Sequence, residues 1–112
     1  MIEPTFTFRN IEATDGLRAH TLHKLEKIRK YLVKPITAHI ILSIEHLQHC
    51  AEITFVDSGI QYVGHAKSPD MYASIDQALD KLTRQLQKHK ERVKEHKKAR
   101  PIPTPAAPDA MD

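Results

Sequence analysis

Hydrophobic and polar residues alternate with period two in four short stretches of this chain and recur at steps of three and four in two longer ones. Thr5 to Arg9 (TFTFR) places Phe6 and Phe8 on one face of a first strand. Turn formers follow from Asn10 to Asp15. Thr14 or Asp15 can cap a helix running to about Val33, with Leu17, Thr21, Leu25, Ile28 and Leu32 on its inner stripe. Lys34-Pro35 stops that helix. From Ile36 to Glu45 the residues Ala38, Ile40, Leu42 and Ile44 point inward, with Thr37, His39, Ile41 and Ser43 on the other face. A connection from His46 to His49 leads to a third strand, Cys50 to Val56, in which Ala51, Ile53 and Phe55 alternate with Glu52 and Thr54. Asp57-Ser58-Gly59 reads as a hairpin turn. The fourth strand, Ile60 to Lys67, turns Ile60, Tyr62, Gly64 and Ala66 inward, so its buried residues shrink toward the C-terminal end. Ser68-Pro69-Asp70 then starts a helix, with Pro suited to the first turn and Ser68 or Asp70 able to accept orphan N–H groups.

The predicted order is β-α-β-β-β-α, an α+β fold. Four strands with one apolar face and two helices with one apolar stripe each bury together when both helices stack on the same side of the sheet. The opposite face is expected to stay open and mostly polar.

The last helix, Asp70 to Lys98, changes character halfway. Tyr72, Ile75, Leu79, Leu82 and Leu86 form one stripe, which fades after Leu86. From Lys81 to Arg100 nine Lys or Arg face Glu91 and Glu95, a local +7 in a chain of net +3, so the remaining residues carry −4. At 1.5 Å per residue such a helix is about 43 Å long, against about 20 to 27 Å for strands of this size, so its basic end must overhang the sheet.

Composition narrows the function classes. With 112 residues the chain is expected to form one domain over 1–98, followed by a disordered or extended tail, 99–112, which has four prolines within PIPTPAAPDAMD. Cys50 is the single cysteine, so an intrachain disulfide is impossible. The first residues lack a basic and apolar leader pattern, and no run of about 18 apolar residues occurs, so a soluble cytoplasmic protein is expected. No phosphate loop, nucleophile elbow or paired-carboxylate motif is present, so neither an enzyme nor a cofactor is expected. His46, His49 and Cys50 raise a zinc hypothesis, but neighbours on a strand point to opposite faces and spacing supplies no fourth ligand. His20 with His23 and His89 with His96 read as exposed helix residues.

The segments FRNIEATDGLR, KLEKIRKYL and, most specifically, DMYASIDQALDKLTRQLQKHKERVKEH, within a match over roughly residues 1–97, resemble the bacterial ribosome hibernation-promoting factor family, to which the stationary-phase ribosome-associated translation inhibitor is related. The chain's length resembles the family's short form, and its Pro-rich tail resembles the hibernation-promoting branch more than the inhibitor branch. The resemblance implies binding to the small ribosomal subunit in the channel used by messenger and transfer RNA, a block of translation without chemistry, and a separate ribosome modulation factor as a further partner. The charges agree with an RNA partner, because each cation that neutralises a phosphate releases a counterion. The candidate rRNA-binding residues are Arg18, Lys24, Lys27, Arg29 and Lys30 on the first helix and Lys81, Arg84, Lys88, Lys90, Arg92, Lys94 and Lys97 on the second. Together they are expected to form one continuous positive surface. The second helix interleaves no aromatic residue among these cations, which points to recognition of shape and backbone rather than of unpaired bases. The alternatives are a general double-stranded RNA-binding domain, which would bind a bare duplex, and a metal-binding protein, which would carry stoichiometric metal.

Overall fold

The computed structural model describes residues 2–32 and 34–98, with side chains through His89; the Pro-rich tail, 99–112, lies outside the described residues. The elements are β1 (Ile2–Arg9), α1 (Asp15–Ile28), a 3-10 turn (Arg29–Tyr31), β2 (Ile36–Glu45), β3 (Gln48–Asp57), β4 (Ile60–Ser68) and α2 (Met71–Lys98). The sheet order is β1-β2-β3-β4, parallel between β1 and β2 and antiparallel elsewhere. β1, β2 and β4 therefore run the same way. Both helices start at the end of the sheet where β1 and β4 finish and run parallel to each other.

Every inward row of the sheet meets a helix stripe in one core. Ala38, Ile40 and Leu42 of β2, Ala51, Ile53 and Phe55 of β3, and Tyr62 and Ala66 of β4 pack with Leu17, Leu25 and Ile28 of α1 and Ile75, Ala78, Leu79, Leu82 and Leu86 of α2. Small residues on β4 bring α2 close: a Cβ on Gly64 would overlap the Ala78 carbonyl oxygen and stand 2.9 Å from Leu82 Cγ. The shrinking side chains along β4 are the seat of this helix.

Helix starts follow the capping logic. Thr14 is extended, at φ −119° and ψ 155°, and its Oγ1 accepts from Leu17 N at 3.2 Å. Asp70 caps α2 through Oδ2, which accepts from Ala73 N at 3.0 Å, and Ser68 Oγ donates to the Asp70 carbonyl at 2.6 Å. Pro69 therefore precedes the cap instead of occupying the first turn.

Further expectations are corrected. β1 begins at Ile2 and runs through Pro4, which an edge strand tolerates because its outer N–H groups are unpaired. α1 ends at Ile28 and not near Val33, which itself lies outside the described residues; the chain tightens into a 3-10 turn ahead of Pro35, a common way to close a helix. β3 begins at Gln48, because the connection from β2 is a two-residue turn. His46 and Leu47 adopt φ of 50° and 67°, the left-handed pair that a type I′ hairpin requires. Ile44, expected inward, is half-buried, at the end of β2 beside that turn. Tyr72 is 41% exposed, and Met71, Ser74 and Ala78 fill the stripe; its ring instead stands edge-on to His20 of α1, with centroids 4.9 Å apart.

The open face carries cross-strand rows such as Thr7–Ile41–Glu52–His65 and Arg9–Ser43–Cys50–Lys67. Cys50 is buried in the second row, outside the main core cluster, while His46 sits at the hairpin tip and His49 neighbours Cys50 on the opposite face. The outer edge of β4 is covered from α2, since Lys81 Nζ donates to the His65 carbonyl at 2.6 Å and Gln85 Nε2 to the Val63 carbonyl at 2.7 Å. Side chains that occupy edge acceptors oppose pairing with another chain.

Near the Ser58-Gly59 turn, burial raises the Tyr62 hydroxyl above its ordinary pKa of 10.0, and the nearby Asp57 carboxylate raises it further. The folded protein thus keeps a proton that the unfolded chain releases. Stability is expected to be unaffected below the unfolded value and to fall as pH rises through and above 10. Urea unfolding on either side of that pH should show the extra alkaline loss in the wild type and not in Tyr62→Phe; equal loss in both would assign it to other groups.

Candidate nucleic-acid interface

The cations fall into three settings. On α1, Arg18 is exposed, with Cζ 5.4 Å and 5.2 Å from the ring centroids of Phe6 and Phe8. Lys24 lies in the seam between the helices, its Nζ 3.7 Å from Asp76 Oδ1, an atom that also receives His20 Nε2 at 2.7 Å. Arg29 pairs with Glu26 one turn earlier at 2.9 Å, and Lys30 Nζ stands over the Tyr31 ring at 5.3 Å. Surface pairs of this kind are weak and exchange readily for a phosphate.

On α2, Lys81 is held at the β4 edge by the His65 carbonyl. Lys27, Arg84 and Lys88 are exposed and bond to no other described side chain. Lys90, Arg92, Lys94 and Lys97 lie on the described backbone of α2, and their side chains lie outside the described residues. Among the described side chains, this helix is anchored as far as Leu86, which is 2% exposed, and His89, whose ring meets Tyr62 edge-on at 6.4 Å. Nine more residues follow to Lys98, a projection of about 13 Å at 1.5 Å per residue. The backbone thus carries the last lysines beyond the sheet, as helix length requires.

The positive surface is not continuous across the helices. Asp76 and Asp80 project from the first half of α2, and Asp76 engages both His20 and Lys24 across the seam. Toward the other end Gln87 Nε2 donates to the Tyr31 hydroxyl at 2.9 Å, a neutral contact that leaves Arg84 and Lys88 available to solvent. Positive charge is concentrated where both helices finish. Sequence reasoning missed Phe6 and Phe8 as partners of a cation, although their i, i+2 spacing on a strand is the signal that sets their rings side by side.

Among known proteins, residues 5–94 match the family model described as "Sigma 54 modulation protein / S30EA ribosomal protein". That span includes every candidate cation except Lys97. The ribosome hibernation promoting factor of Escherichia coli (strain K12) is 36% identical over 90 residues, covering 80% of this chain and 95% of that protein. The protein of the same name from Pseudomonas putida is 39% identical over 84 residues, covering 75% and 82%. Among solved structures, the N-terminal domain of Thermus thermophilus Protein Y superposes with a TM-score of 0.72 at 27% identity, covering 78% of this chain and 98% of that one. A ribosomal subunit interface protein from Coxiella burnetii gives a TM-score of 0.72 at 29% identity, with 81% and 99% covered. The four-stranded sheet, its two helices and these matches place the chain in the Sigma 54 modulation protein / S30EA ribosomal protein family, that of the ribosome hibernation promoting factors.

Proposed function

We propose that this protein is a ribosome hibernation factor of the cytoplasm. Residues 1–98 are the ribosome-binding unit. It binds the small ribosomal subunit in the channel of messenger and transfer RNA, contacts rRNA through its cations, and holds idle ribosomes silent in stationary phase or stress. It acts by occupancy and without chemistry. The observation that carries this reading is the projection of α2: a helix anchored through Leu86 delivers a row of Lys and Arg positions past the sheet, clear of Asp76 and Asp80. Such a ridge suits a dense phosphate array. The names of the similar proteins support the ribosome as its source.

Sucrose gradients of ribosomes with and without the purified protein test this. The expected result is cosedimentation with small subunits, lost steeply as salt rises. A short RNA duplex in excess should compete poorly. Equal affinity for duplex and subunit would support a general double-stranded RNA-binding domain instead, and failure to cosediment at low salt would remove the ribosome reading. Pairing of ribosomes, if an added modulation factor promotes it, appears in the same gradient as a heavier peak.

A further inference from the structure

The helix-facing side of β1 is sheltered less than that of its neighbour. Ile2, Pro4, Phe6 and Phe8 are half-buried, whereas their partners on β2, Ile36, Ala38, Ile40 and Leu42, are at most 8% exposed. This edge is a ledge of apolar rings beside α1. The Phe6 and Phe8 rings lie 5.8 Å apart and within 14° of parallel, and the Arg18 guanidinium stands over both. Leu22, one turn further along α1, is 39% exposed. Among the described residues no carboxylate pairs with Arg18.

A phosphate needs a cation but gains nothing from two phenyl rings, and the lysines at the far end of α2 serve it better. An aliphatic side chain gains from the rings but nothing from a guanidinium. An unpaired nucleotide uses all three: its flat base stacks on aromatic or guanidinium planes, and its phosphate accepts a pair of N–H groups from the guanidinium edge. Seating Arg18 on the rings also restricts its rotamers, so little freedom remains to be lost on binding. We propose that Phe6, Phe8 and Arg18 form a stacking site for an unpaired nucleobase of rRNA. This rests on the ribosome-binding reading and adds base contact at β1 to backbone contact along α2.

Binding of purified small subunits is measured across a salt series for the wild type, Arg18→Lys and Phe8→Leu. Arg18→Lys keeps the charge and removes the planar group; Phe8→Leu keeps apolar bulk and removes the ring. Each is expected to weaken binding about fivefold to a hundredfold while leaving the slope of log affinity against log salt unchanged, because the number of neutralised phosphates is the same. Thermal melts of both variants are expected to match the wild type. Zero-length ultraviolet cross-linking of the wild-type complex should join the β1 peptide or Arg18 to an unpaired base. Wild-type affinity in Arg18→Lys, or a cross-link from the ledge to ribosomal protein alone, would overturn the stacking site while leaving ribosome binding intact. Absence of wild-type binding would overturn both.

Discussion

Reversing Lys88, Lys90 and Arg92 together to Glu is expected to release the protein from small subunits, with affinity falling at least about a hundredfold and the salt slope shrinking by two to three units. All three positions follow Leu86, the last buried residue of the α2 stripe among the described side chains, and Lys88 is exposed. Folding should therefore hardly respond, with a change within about 0.5 kcal/mol as for other surface substitutions. The contrast between intact folding and lost binding is the informative outcome. Because each reversal replaces attraction to a phosphate by repulsion, the defect should be largest at low salt and shrink as screening grows. Unchanged cosedimentation at low salt would move the interface away from the projecting helix.

The second large effect is expected at the seat of that helix. Leu82 is fully buried and faces Gly64 of β4, so Leu82→Ala should cost about 2 to 5 kcal/mol through lost burial and the cavity left behind. Gly64→Ala attacks the same contact from the sheet side and should cost about 3 kcal/mol, because the new methyl meets backbone at the Ala78 carbonyl and α2 must lift to admit it. The double variant distinguishes the two causes. Removing Leu82 relieves the clash with its Cγ but not the clash with the carbonyl, so Gly64→Ala should remain costly in that background. Urea unfolding measures all three, and a loss below about 1 kcal/mol for Gly64→Ala would mean that the helix adapts cheaply.

Much of this architecture was written in local periodicity. The α1 stripe of Leu17, Thr21, Leu25 and Ile28 and the α2 stripe from Ile75 to Leu86 are buried as their spacing predicts, because each helix has one partner surface and one apolar face. The Ser58-Gly59 turn was legible because Gly takes φ 80° without a steric penalty. The His46-Leu47 turn was not, since neither residue advertises a left-handed conformation and the requirement comes from the two strands it joins. Tyr72 looked like core because its spacing fits the stripe, but the neighbouring helix captured it at the stripe's edge.

The candidate interface was legible only as a list of charges. Their grouping depends on contacts between distant segments: Asp76 meets His20 and Lys24 more than fifty residues away, and Arg18 meets rings on the strand before its own helix. Charge counting cannot foresee such pairings, which divide the cations into those held by the fold and those left to a ligand.

Because α1 and α2 are parallel, the molecule is electrically lopsided along its length. Exposed Glu12, Asp15, Glu45 and Asp70 lie where the helices begin and offset Arg9, Arg18 and Lys67 there, whereas exposed Lys27, Arg29, Lys30, Lys34 and Lys88 outnumber Glu3 and Glu26 toward the end where the helices finish. The net positive charge therefore sits at that end. In the field of a polyanion such a body experiences a torque before it touches anything, and it turns its basic end forward. Collisions then arrive already oriented, so ionic strength should slow association more than it hastens release.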